Sequence, residues 1–188
     1  MKKGVLKMVG KMIALDEPSF RSFLDSPKTE GASNLLLLAT GVGYGAISIA
    51  SNASYILSFD STLLKVFIIP LVFLFFGLLM AFVTKIGLAL LLWAGAKGLG
   101  GTGQLRAINL AVPAALIPGL LAVPYLAGAG KENGFVLLLL LGGVVWMYLV
   151  SARIIQATQN FTTKKSYFAA FLSFLFLASV YYLITPTG

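Results

Sequence analysis

Few groups in this chain of 188 residues could do chemistry. It has no Cys and no His, which excludes disulfides, thiolate nucleophiles, Cys/His zinc or haem ligation and imidazole acid–base catalysis together. The six carboxylates are Asp16, Glu17, Asp25, Glu30, Asp60 and Glu132, and no two of them share an apolar run where a paired acid and base could be tuned. The expectation is a protein with no catalytic residue, no metal site and no cofactor. Gly98, Gly100 and Gly103 in GLGGTG do meet the G-x-G-x-x-G spacing. A dinucleotide fingerprint also needs a preceding strand and a ribose-binding acid about 20 residues on, and a phosphate-cradling loop ends in Lys-Ser/Thr. Neither context is present, so the stretch reads as an interhelical loop.

One ionisable side chain, Lys85, falls inside a long apolar run, and an intramembrane charge is by default a candidate functional group with a partner. No carboxylate is available in any apolar run to pair with it. A helix started at Val66 reaches Lys85 after about 19 residues, nearly a full bilayer crossing, so Lys85 is expected to snorkel to the interface. The other polar groups in apolar runs, Thr84, Asn109 and Ser151, suit helix–helix hydrogen bonds better than a transport site.

The elements that must carry these residues follow from composition. The chain is 59% hydrophobic and 11% charged with mean hydropathy +0.94, which no water-soluble surface can accommodate. It is read as an integral membrane protein. A formal charge of +8 on such a chain points to basic loops on one membrane side, not to nucleic acid. Five apolar stretches are long enough to cross a bilayer, at about 32–52, 66–96, 107–127, 134–152 and 167–184. The expected fold is all-α: a polytopic bundle of five transmembrane helices over 32–188, behind a cytoplasmic head over 1–31. The 66–96 run is too long for one upright span, so it should tilt, overhang the bilayer or bend near Gly87. Gly41, Gly43 and Gly45 set up small-residue spacings for close helix packing. Pro113 and Pro118, with Pro124, should kink the third span where neighbours satisfy the freed carbonyls.

In the head, Val5, Val9 and Met12 fall on one helical arc while Lys3, Lys7 and Lys11 gather opposite. Such an amphipathic helix lies in the membrane interface or docks against the bundle; contact of both faces with the membrane surface is the preferred expectation. A second helix is expected in EPSFRSFLDSP, capped by Asp16 or Glu17 and ended by Pro27.

With five spans, Lys2, Lys3, Lys7, Lys11, Arg21, Lys28, Lys97, Arg106, Arg153, Lys164 and Lys165 fall on one side, and only Lys65 and Lys131 on the other. This asymmetry predicts a cytoplasmic N-terminus and an outer C-terminus, and the membrane would be the plasma (inner) membrane if the source is prokaryotic. Asn52-Ala53-Ser54 on the outer side is a glycosylation sequon, relevant only in a eukaryote.

The segments EPSFRSFLDSPKTEG, GLGGTGQLR leading into INLAVPAALIP, VVWMYLVSARIIQATQ and TTKKSYFAAF, taken in this order, resemble the Yip-one domain family of Ypt/Rab-interacting membrane proteins in its small prokaryotic form. The resemblance spans essentially the whole chain. It implies five spans, a cytoplasmic N-terminus and an accessory or scaffolding role. Eukaryotic relatives carry an Asp-Leu-Tyr-Gly-Pro motif before the first span; its absence here puts GTPase binding in doubt. The expected function is a non-catalytic scaffold or accessory factor for membrane organisation. Its expected partners are membrane lipids and another membrane protein or a second copy. The alternative expectation is a small transporter, channel or lipid-moving protein.

Overall fold

The computed structural model describes the backbone of residues 2–130 and 132–184, with the side chains of these except Lys2, Lys3, Val5, Leu6 and residues 180–184. The chain forms α1 (Lys2–Ile13), α2 (Glu17–Leu24), α3 (Thr29–Ser51) and the short α4 (Ala53–Leu57). A π-helical turn (Leu64–Ile68) then runs into α5 (Ile69–Gly98). After α6 (Leu105–Gly119) come a 3-10 turn (Leu120–Ala122) and the short α7 (Val123–Leu126), then α8 (Gly134–Gln159) and α9 (Thr163–Ile184). No strand occurs among the described residues. Four helical stretches, Thr29–Ser51, Leu64–Gly98, Leu105–Leu126 and Gly134–Gln159, are long and apolar enough to cross a membrane. Their exposed surface agrees: Phe67, Leu71, Phe75, Phe76, Met80 and Phe82 of the second stretch all face outward, a belt that water would not tolerate.

Local sequence explains where the helices deviate. The Leu64–Gly98 stretch is continuous helix, about 52 Å at 1.5 Å per residue, and passes Gly87 without interruption. Its irregularity lies instead at the start. Pro70 has no N–H to give Val66 and its ring crowds that carbonyl, and the widened π turn over Leu64–Ile68 relieves the conflict. In α6, Pro113 and Pro118 lie inside the helix. After Pro118 the Leu120 N–H turns to the Ile117 carbonyl, tightening the helix and freeing the Leu116 carbonyl. The Tyr44 hydroxyl of α3 donates to that carbonyl at 3.0 Å.

Two packing layers build the bundle. α6 is its centre, buried at Ile108, along Ala111–Leu116 and at Pro118, with small Ala side chains that let α3, α5 and α8 approach closely. The closest approach is between α3 and α5. A Cβ on Gly77 would lie 2.6 Å from the Gly41 carbonyl oxygen and 2.7 Å from Gly45 Cα, and one on Gly45 would lie 2.7 Å from Leu74 Cα. Gly43 meets only the flexible Leu120 side chain, so of the three α3 glycines it is the least constrained. α9 joins α5 in the same manner, Gly95 lying against Ser173, whose hydroxyl donates to the Leu91 carbonyl at 2.9 Å.

The first two helices are part of this bundle, not a separate head. Met12, Phe20 and Phe23 are buried in the same core as Ile108 and Ile154. Val9 is buried as well, while Lys7 and Lys11 are exposed. Val9 and Met12, expected at the membrane surface, are buried in the bundle, where α1 packs on α2 and α6. The side chains of Lys3 and Val5 lie outside the described residues. The corner after α1 places Leu15 in the left-handed region (φ 68), and the Trp146 ring nitrogen of α8 donates to the Ile13 carbonyl at 2.9 Å.

Because the α3–α5 approach leaves no room for a methyl group against backbone, Gly77→Ala should lower stability by about 1–3 kcal/mol. Gly142→Ala, with nothing within 4 Å, should be neutral or stabilise by up to about 1 kcal/mol. Thermal unfolding midpoints of the two variants in mild detergent check this; equal losses would remove the crossing as the organising contact.

Candidate functional site

The antiparallel succession of the long helices gathers the start of α3, the end of α5, the start of α6, the end of α8 and the start of α9 at one end. Lys28, Lys97, Arg106, Lys164 and Lys165 are exposed there. Two ion pairs occur among the described residues, Glu17 with Arg21 and Glu30 with Arg106, and both are at this end. The second joins α3 to α6 and is well exposed, so its energetic worth is small.

The interhelical loop is held by a residue that the sequence did not single out. Gln159, 4% exposed at the end of α8, accepts the Gly103 N–H at 2.7 Å. A Cβ on Gly103 would lie 2.6 Å from Gln159 Nε2, and one on Gly101 2.8 Å from the Ala96 carbonyl. These glycines are thus needed for close backbone packing against α8 and the end of α5. With the Gly103 N–H spent on Gln159, the loop does not present the row of free amides that a phosphate cradle requires.

Lys85 is 8% exposed and lies on the buried stripe of α5 with Ala81, Leu88 and Ala89. Side chains on a helix lean toward its N-terminus, and the N-terminus of α5 points away from the basic end, so snorkelling toward that end works against the helix geometry. Its neighbour on the stripe, Ala81, faces Gly41 across the α3–α5 crossing. One turn from Ala81 toward the basic end comes Lys85, and two turns from Gly41 in the same direction comes Ser33, fully buried with its hydroxyl unpartnered among the described residues. Neither ion pair includes Lys85. Lys85 and Ser33 are thus both buried on the basic side of the glycine crossing.

Above this seam, Arg106 separates two cavities. One of about 360 Å³ lies between α5 and α6 and is lined by Ile86, Ala89, Leu90, Leu105, Arg106 and Asn109. The other, about 400 Å³, opens on the α2–α3 turn and includes Thr29, Glu30 and Leu110. A separate polar cluster at the α8–α9 turn has Arg153 donating to Gln156 at 2.7 Å while its guanidinium stands 5.8 Å from the Tyr167 ring centroid. No group of three His, Cys, Asp or Glu able to hold a metal occurs among the described residues. The arrangement can hold an anion and an apolar chain; it offers no nucleophile paired with a base.

Gly41, Gly43, Gly45, Pro113 and Pro118 all lie at helix contacts, whereas Gly77, Gly95, Tyr44, Trp146 and Gln159 were not anticipated. Comparison with protein-family models, with curated proteins and with solved structures finds no match.

A buried ammonium without a counter-ion weakens the fold that carries it. Lys85→Met, close in shape and uncharged, should therefore stabilise the purified protein by roughly 1–3 kcal/mol. Lys85→Arg, larger and still charged, should not. A fall in the unfolding midpoint of the Met variant would mean that the ammonium has a partner that holds the bundle together.

Proposed function

We propose that this chain is a non-catalytic, five-span integral membrane protein of Yip-like type, acting as a scaffold or accessory factor in membrane organisation. α9 is the fifth span in this reading, and the basic end with its two leading helices is cytoplasmic. The observation that carries the reading is the charge distribution. Eleven Lys and Arg belong to one end and two, Lys65 and Lys131, to the other, the bias that fixes orientation in a bilayer. The scaffold role rests on what the site lacks in acid–base pairs and on what the basic end offers, an exposed cationic surface including Lys7, Lys11, Lys28, Lys97, Lys164 and Lys165. α1 is an amphipathic interfacial helix in this reading, apolar toward the bundle and basic toward anionic headgroups.

The natural absence of Cys makes the topology directly testable. A single Cys replacing Thr187, which lies outside the described residues, should react with an impermeant maleimide added to intact cells. One replacing Thr102, exposed in the GLGGTG loop, should react only after the membrane is opened. Labelling of both from the same side overturns the five-span reading.

A further inference from the structure

We propose that the groove between α5 and α6 at the basic end binds one anionic phospholipid of the adjoining leaflet. Its phosphate is held by Arg106 and Asn109, and an acyl chain runs past Leu90 and Ile86. This rests on the membrane-spanning reading above and adds to it a ligand class and a site.

The groove has the composition such a ligand needs. Four of its six lining residues, Ile86, Ala89, Leu90 and Leu105, are apolar, and the two polar ones, Arg106 and Asn109, are one turn apart on α6. Its volume, about 360 Å³, lies within the range of about 300–1,000 Å³ typical of small-ligand sites. Ile86 and Leu90 are 41% and 46% exposed, and they continue the outward-facing belt of Phe82 and Val83. The groove therefore opens sideways toward lipid, which favours a phosphate carried on acyl chains over a free one.

Charge complementarity selects the headgroup. Glu30 engages Arg106 through Nη2 from the side of the second cavity, leaving the other guanidinium donors for a second acceptor. Lys85, one turn from Ala89 on the same stripe of α5, is buried and does not line the groove, so Arg106 is the cation that faces it. A lipid with net negative charge complements Arg106, whereas a zwitterionic lipid brings its own cation. Basic pockets between spanning helices are established sites for anionic headgroups.

The test uses the full-length protein in neutral detergent, with native mass spectrometry reading retention of dioleoyl-phosphatidylglycerol against dioleoyl-phosphatidylcholine. The wild type should prefer the anionic lipid by about tenfold. Arg106→Gln should remove most of that preference. Ile86→Trp, which fills the groove and leaves every charge in place, should do so as well and guards against an effect of charge alone. The exposed pair Lys164→Ala with Lys165→Ala should leave the preference intact. Equal retention of the two lipids by the wild type overturns the proposal. So does a loss in the Lys164/Lys165 variant as large as in Arg106→Gln, which would mean diffuse attraction. Displacement of the lipid by millimolar glycerol 3-phosphate would assign the site to a soluble phosphate and likewise overturn it. Any of these with the Thr187 and Thr102 labelling unchanged removes the lipid site and leaves the membrane topology standing.

Discussion

The contact on which the bundle depends is the approach of α3 and α5 backbone to backbone at Gly41, Gly45 and Gly77. In a membrane there is no hydrophobic gain from pressing one apolar helix on another, because lipid tails are as apolar as Leu; close packing and hydrogen bonds must supply the association. Three glycines allow that approach and thereby fix the angle and register of two of the longest helices. The consequences reach α6. The register places Tyr44, next to Gly45, against the Leu116 carbonyl that the Pro118 tightening has left free, so the hydrogen-bond demand of a broken helix is met by the helix that the glycines bring near.

Much of this plan could be read from composition and periodicity, and the parts that could not have a common cause. Apolar length marked α3, the 64–98 stretch, α6 and α8 because hydrocarbon thickness imposes a length on any spanning helix. The same signal cannot distinguish a lipid-facing Leu from a core Leu, since both surroundings are apolar. Gly77, in the middle of a Phe- and Leu-rich run, was therefore invisible as a contact, and Lys85 was assigned to an interface by depth along the helix when the face it occupies decides its surroundings. In α1 the lysine and aliphatic arcs were legible. What the aliphatic arc meets was not, because α6, on which α1 packs, lies far away in sequence. Gln159 left no trace at all: a lone amide at a helix end acquires its role only when the glycine loop folds onto it.

The electrostatics of the molecule divide by accessibility. The exposed pairs Glu17–Arg21 and Glu30–Arg106 sit where solvent screens them, so they set orientation more than stability. Arg153 shows how a half-buried cation is accommodated without an acid: an amide oxygen from Gln156 and the face of Tyr167 take its charge, and Tyr148 in turn donates to the Tyr167 carbonyl at 3.1 Å. Lys85 has no such arrangement among the described residues. The contrast between two cations at the same end of one bundle, one solvated by protein and one not, is what makes Lys85 informative.

α6 connects these features. One part of its surface, with Ile108, packs in the core that also holds Phe20 and Phe23 of α2, and another presents Arg106 and Asn109 to the groove beside α5. These positions are adjacent, so a shift of α6 is shared by the leading helices and the groove. The means of such a shift is built into the sequence: Pro113 and Pro118 each remove a backbone hydrogen bond from the middle of the helix, leaving its basic half less tightly tied to the half anchored by Tyr44. The Trp146 bond to Ile13 then ties the α1–α2 corner to α8, which flanks α6. The leading helices and the proline-interrupted helix that carries the groove are thus joined by direct side-chain packing.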